Sequence, residues 1–240
     1  MNTQNITGAP WLRMLPLALV AGVAGLATLG AAKDPVDAEV PVAAKAPLAA
    51  PRAQNTLVSA KIPQGLAVAT LGGGCFWSME ALYKRVKGVR SATPGYAGGK
   101  LANPSYEQVG SGSTGHAESL NIVYDPKVVS YGELVDILLT VLDPTTLNQQ
   151  GGDVGTNYRS VIFTRSHDEK QIAEKEIQKI NAKHIWKAPI VTQVVPIKAF
   201  YRAEDYHQNY YDTHQEAPYC QAVIEPKLDK LRAKFGDKLK

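Results

Sequence analysis

The chain has 240 residues, 26 of them basic and 22 acidic, for a formal net charge of +4. That excess is modest and its lysines are spread along the final helices, so no basic block marks a nucleic-acid surface. Its five histidines exclude a metal site by their spacing: His207 and His214 lie seven apart, with neither an i,i+4 pair nor a cysteine ligand set beside them.

Residues 14–32 contain no charge, follow Arg13 and finish in the small residues Gly30, Ala31 and Ala32. Residues 1–32 therefore read as an export signal peptide or a membrane anchor, with cleavage and retention both open. Residues 33–64, rich in Ala, Pro and Lys without a clear period, read as a flexible linker. Residues 65–240 are one domain's worth of chain, with enough length for a real core.

Residues 66–71 read as a short buried strand, ended by Gly72-Gly73-Gly74. From Phe76 onward apolar groups fall at Phe76, Met79, Leu82, Tyr83 and Val86, a helical stripe that Gly88 stops. Cys75 thus stands at a helix start, where free N–H groups and the helix dipole favour a thiolate. Phe76 and Trp77 put aromatic surface beside it, suited to a small apolar substrate group. The glycine run lacks the Lys-Ser/Thr of a phosphate-binding loop and the spacing of a dinucleotide site. Cys220 is the second of two cysteines, and in an exported protein the simplest use of two is one structural disulfide. Such a bridge, however, needs no glycine run, aromatic pair or helix start.

Further strands are expected near 89–93, 117–124, 158–164 and 190–197, and helices near 131–141, 167–184, 205–214 and 226–235. Helices interleaved with short strands, one of which alternates at Leu120, Ile122 and Tyr124, predict a two-layer α+β fold with a mixed sheet covered by helices. The segment around Pro218 and Cys220 reads as coil. Glu118 ends the loop that begins at Ser111, and by pattern alone it is an ordinary edge-strand glutamate. Asp153, beside Gly151 and Gly152, can equally cap a turn.

Six motifs extend the pattern: Gly74-Cys75-Phe76-Trp77 with Glu80; Gly95-Tyr96-Ala97-Gly98-Gly99; Asn103-Pro104-Ser105-Tyr106-Glu107; Gly115-His116-Ala117-Glu118; Tyr124-Asp125-Pro126; and Gly155-Thr156-Asn157-Tyr158-Arg159-Ser160. With Ala203-Glu204-Asp205-Tyr206-His207-Gln208 and Pro218-Tyr219-Cys220-Gln221, the chain resembles the peptide methionine sulfoxide reductase A family over residues 66–230. The resemblance implies an α+β sandwich with a ferredoxin-like core and an extended coil at the C-terminus. It implies thiol-dependent reduction of methionine S-sulfoxide, free or in oxidised proteins and peptides, without metal or organic cofactor.

Site roles follow from the same resemblance. Cys75 is the nucleophile, and Glu118, as a partly buried carboxyl, is the acid that makes the sulfoxide sulfur electrophilic. Tyr106 and Tyr158 hold the sulfoxide oxygen through their hydroxyls. Phe76 and Trp77 line the S-methyl pocket, Asp153 shapes the site, and His116, His207 and Gln208 give hydrogen-bonded support. Cys220 resolves the Cys75 sulfenic acid. Some relatives carry two recycling cysteines in a glycine-rich tail; this chain has no third cysteine, which implies one Cys75–Cys220 disulfide offered directly to thioredoxin or a thioredoxin-like reductant. With the leader, this makes an exported, periplasmic repair enzyme. Two rival readings use the same residues: a binding domain stapled by a Cys75–Cys220 disulfide, and a thiol peroxidase.

Overall fold

The computed structural model describes residues 62–240; the expected leader and nearly all of the expected linker lie outside them. The elements begin with β1 (Ala67–Gly72), α1 (Phe76–Lys84), β2 (Val89–Ala97), α2 (Tyr106–Gly110) and β3 (Ala117–Tyr124). They continue with α3 (Tyr131–Val141), the short strands β4 (Gln149–Gln150) and β5 (Asp153–Val154), a 3-10 turn (Thr156–Tyr158) and β6 (Val161–Thr164). After α4 (His167–Ala182), β7 (Gln193–Pro196) and β8 (Phe200–Arg202) come a second 3-10 turn (Asp205–His207), α5 (Tyr210–Thr213), a π-helical turn (Cys220–Ile224) and α6 (Glu225–Phe235). Among the described residues no helix is long and apolar enough to cross a membrane.

Six strands share one sheet in the order β7-β6-β1-β3-β2-β8. β6 and β7 are parallel and the other neighbours antiparallel, so the sheet is mixed as expected. Its main core lies on the face where Leu71, Leu120 and Ile122 meet Met79 and Leu82 of α1, Leu134 and Leu138 of α3, and Leu228 and Leu231 of α6. A smaller cluster of Ala97, Ala117, Val161, Phe163 and Phe200 forms separately. The fold is the α+β class expected. β4 and β5 make a hairpin outside the sheet that carries Asp153.

Several elements depart from the sequence reading. β2 runs on past residue 93 to Ala97, because its whole length pairs with β3. α2 is short but closed by a capping box, Ser105 with Gln108, a signal too local for periodicity to reveal. The helix expected over 205–214 is broken: Asn209 adopts φ 58, and its N–H donates to both carboxylate oxygens of Glu80, at 3.0 and 2.8 Å. The extended coil expected at the C-terminus around Pro218 and Cys220 is also corrected, since the chain there is helical and forms the π turn, which runs directly into α6, the helix expected over 226–235. Ile224, Leu228, Leu231 and Phe235 are buried at helical spacing, each worth roughly 1.5–3 kcal/mol relative to exposure, and helix lets all four face the core.

The glycine run has a clear stereochemical cause. Gly74 has φ +89, and a Cβ there would stand 2.6 Å from Gln150 Cγ; a Cβ on Gly73 would stand 2.8 Å from both Leu138 and Leu142. Gly74→Ala should therefore combine backbone strain with displacement of Gln150, whose side chain accepts from the Asp143 N–H and donates to the Asp143 carbonyl. We expect a loss of about 1–3 kcal/mol, read as a drop of several degrees in thermal midpoint; an unchanged midpoint would show that the turn relaxes freely.

Candidate active site

Cys75 occupies the N-cap of α1, where β1 delivers the chain through the glycine turn into the core. Its carbonyl accepts from Ser78 N–H at 3.1 Å and Met79 N–H at 3.3 Å, which fixes the residue at the helix entrance. The side chain is buried, only 6% exposed. Next to it, the Phe76 N–H donates to Glu118 Oε2 at 3.0 Å. β3 supplies Glu118, opposite Tyr96 of β2, and the carboxyl is 1% exposed. The sheet thus brings together two residues 43 apart in sequence, and a backbone donor of the helix start orients the acid.

Burial sets the protonation of both groups. Glu118 is pushed up to about 8, chiefly by desolvation and further by Asp153, against the stabilising Phe76 N–H and Asn157 side chain. The Cys75 thiol is raised well above its ordinary value by burial first, then by Glu118 and Asp153, with the Tyr219 hydroxyl and Trp77 backbone acting the other way. The thiolate expected from the helix start alone is therefore outweighed in the resting site. A free N–H that would have favoured a thiolate is committed to Glu118, and the surrounding apolar wall disfavours any charge.

Aromatic rings build that wall. Phe76 lies 5.9 Å from Tyr96, 6.4 Å from Tyr106 and 4.9 Å from His207, centroid to centroid. Trp77 stacks on Tyr210 at 3.7 Å and 8° and meets Tyr219 edge-on at 5.8 Å. Its indole N–H donates to His207 Nδ1 at 3.1 Å. Because indole can only donate, His207 Nδ1 must be unprotonated and Nε2 must carry the proton; burial holds this imidazole down to about 3, hence neutral.

Tyr106 and Tyr158 are both half-buried, and each hydroxyl is pushed above its ordinary range by desolvation and then by Glu118, with Cys75 and Asp153 adding to it. They remain phenols able to donate. Glu204 positions Tyr106: its carboxylate accepts from the Tyr106 N–H at 2.9 Å and from the Tyr96 hydroxyl at 2.8 Å. Asp153 on β5 accepts from the Tyr219 hydroxyl at 2.7 Å, and burial raises its carboxyl. Cys220, adjacent to Tyr219 and fully buried, opens the π turn with its thiol free, as is that of Cys75. A single π turn is a weakened stretch of helix, often found at functional positions.

The structure thus gathers Cys75, Phe76, Trp77, Tyr106, Glu118, Asp153 and Tyr158 around one buried thiol, with Cys220 one residue from its wall. Three residues without an expected role join them: Tyr219, Tyr210 and Glu204. Tyr219 immediately precedes Cys220, and that adjacency was the available signal. His207 supports Trp77, and Gln208 donates to the Pro94 and Ala203 carbonyls. His116 acts elsewhere: it accepts from Gly99 N–H at 3.1 Å and pairs with the Leu101 carbonyl at 2.8 Å, closing the loop before β3. Among the described residues no group of three or more His, Cys, Asp or Glu could hold a metal ion.

A buried thiol facing a buried carboxylic acid and two phenols, in an aromatic pocket, defines a class of thiol-dependent enzymes acting on a small electrophile with an apolar substituent. Comparison with known proteins narrows the class. The family model described as peptide methionine sulfoxide reductase matches residues 67–239. The chain is 53% identical over 173 residues to the peptide methionine sulfoxide reductase MsrA of Sulfolobus acidocaldarius, covering 72% of this chain and 97% of that one. It is 50% identical over 181 residues to the protein of that name from Polynucleobacter asymbioticus, covering 75% and 95%. Among solved structures, Mxr1 of Saccharomyces cerevisiae in reduced form matches with a TM-score of 0.60 at 37% identity, over 66% of this chain and 91% of that one. Methionine sulfoxide reductase A of Corynebacterium diphtheriae gives 0.57 at 34%, over 63% and 76%. The chain belongs to the peptide methionine sulfoxide reductase family.

Proposed function

We propose that this enzyme reduces the S epimer of methionine sulfoxide, free or in oxidised proteins and peptides, with Cys75 as nucleophile and Glu118 as general acid. The observation that carries the reading is the Glu118 carboxyl, buried and held up to about 8, anchored on the amide of the residue that follows Cys75. A protonated Glu118 accepts the Phe76 N–H through its carbonyl oxygen and donates its own proton to the sulfoxide oxygen, with Tyr106 and Tyr158 as further donors. The Cys75 thiolate attacks, the substrate S–O bond breaks with its electron pair left on the methionine sulfur, and the oxygen ends bonded to Cys75 Sγ through the thiolate's electron pair, so Cys75 is oxidised as the sulfoxide is reduced. Thiolate, sulfoxide and one proton give the Cys75 sulfenic acid and methionine. Phe76 and Trp77 take the S-methyl group, whose apolar contact is worth on the order of 1–3 kcal/mol, and Asp153 holds the far wall through Tyr219.

Recycling falls to Cys220. Its thiol condenses with the sulfenic acid to give the Cys75–Cys220 disulfide and water, and thioredoxin or a thioredoxin-like dithiol then returns both cysteines to thiols as it becomes a disulfide itself. The π turn at Cys220–Ile224 is the segment that would unwind to bring Cys220 across. The uncharged stretch at 14–32 after Arg13 supports export, with residues 1–32 as a signal peptide or membrane anchor, 33–64 as a linker and 65–240 as the reductase domain. Its substrates would then be oxidised proteins of the periplasm.

A single-turnover assay on the two epimers of a methionine sulfoxide peptide tests the chemistry. One equivalent of methionine should form from the S epimer and essentially none from the R epimer. In the same assay Cys220→Ser should still release one equivalent, while its steady-state turnover with thioredoxin collapses and dithiothreitol partly restores it. Full thioredoxin-driven turnover by that variant would show that Cys220 is not the resolving thiol.

A further inference from the structure

Among the described residues, Lys227 is an inward-turned cation with no task in the chemistry above. Lys227, in the first turn of α6, directs its ammonium to the Ser78 hydroxyl at 3.2 Å, and Ser78 is fully buried. Ser78 in turn donates its backbone N–H to the Cys75 carbonyl at 3.1 Å, so the ammonium ends one helical turn from the nucleophile. Lysine on a helix surface ordinarily keeps its head in water. Turning it inward costs solvation that only nearby negative charge offsets.

We propose that Lys227 is a positioning residue for sulfoxide reduction: its ammonium, held in place by Ser78, offsets negative charge on Cys75 and so governs how much thiolate the enzyme can form. The inference rests on the reading of Cys75 as nucleophile. The titratable groups facing Cys75 from the packed elements are two carboxyls, Glu118 and Asp153, four phenols, Tyr106, Tyr158, Tyr210 and Tyr219, and this ammonium. The carboxyls push the thiol toward its neutral form, and the Lys227 ammonium opposes them. Burial lowers the proton affinity of Lys227, while anionic Cys75 and Asp153 raise it.

The consequence is a direction for the starting proton. When Glu118 is ionised, transfer of the Cys75 proton to its carboxylate creates thiolate and acid together, with no change in total charge. Lys227 acts on Cys75 and Asp153, so its charge favours the sulfur as the seat of the negative charge and leaves Glu118 protonated, as the chemical step requires. Because Lys227 rides on the helix that the Cys220 turn opens, nucleophile and resolving thiol are served by the same C-terminal segment.

The test is the pH dependence of Cys75 alkylation by iodoacetamide in the full chain, resolved from Cys220 by peptide mapping. Lys227→Met should move the midpoint up by about one unit and slow alkylation at pH 7 about tenfold, whereas Lys227→Arg should keep most of the parent's behaviour. Ser78→Ala, which frees the ammonium, should shift the midpoint the same way by less. An unchanged midpoint in Lys227→Met would overturn the proposal and leave Lys227 as packing for α1. Should that variant fail to fold, an unchanged midpoint in Ser78→Ala overturns it instead. Alkylation does not depend on sulfoxide turnover, so a wrong nucleophile assignment, seen as retained activity without Cys75, is distinguishable from failure of this proposal.

Discussion

Cys75→Ser should abolish methionine formation, with a single-turnover rate reduced by more than about a thousandfold, while the fold stays intact. Serine keeps the shape at the N-cap, and the backbone bonds from Ser78 and Met79 to the residue 75 carbonyl do not involve the side chain. The hydroxyl is a far weaker nucleophile than a thiolate at neutral pH, and a carboxylate such as Glu118 is far too weak a base to ionise it. Rates within tenfold of the parent, measured by quenched flow on a sulfoxide peptide, would place the nucleophile elsewhere. A matching thermal midpoint shows that the loss is chemical.

Glu118→Gln should slow the chemical step by ~10²–10⁴. The amide oxygen can still accept the Phe76 N–H, so the helix start keeps its partner, but no transferable proton remains for the sulfoxide oxygen. The step needs the Cys75 thiolate and the Glu118 acid together, a state one proton below the fully protonated pair, so the parent's rate should rise with pH through about 8, where that first proton is lost, and level off above it. The variant should lack that limb. An unchanged rate would move the acid role to Tyr106 or Tyr158. Stability offers an independent check with a defined sign. The folded carboxyl sits above its unfolded value of 4.5, so the stabilising preference for the protonated form is complete at low pH and is lost as pH rises to about 8. Glu118→Gln should therefore gain stability relative to the parent between pH 5 and pH 9.

Much of the fold was legible in the sequence because its signals are short in range. The buried strand before Gly72, the helical stripe from Phe76 to Val86, the alternation at Leu120, Ile122 and Tyr124 and the long helices α3, α4 and α6 all reflect periodicity and local chain stereochemistry. The strand-to-helix turn that carries Cys75 was equally local, since Gly74 at φ +89 needs a residue without Cβ. Element edges that depend on a distant partner were not legible: β2 ends where β3 stops pairing with it, and the helix near 205–214 breaks because Glu80, 129 residues away, takes the Asn209 N–H.

What only the tertiary structure decided is the charge state and the company of the thiol. The identities of Cys75 and Glu118 could be named from motifs, but the bond from Phe76 N–H to Glu118 exists only once antiparallel pairing sets β1 and β2 against β3. A helix start read in isolation favours a thiolate, yet desolvation by α1's packing partners and the carboxyls of Glu118 and Asp153 favour the thiol. The links from Asp153 to Tyr219 and from Lys227 to Ser78 span 66 and 149 residues. No periodicity carries such information, because the free energy of a buried charge is set by whatever the completed fold places around it.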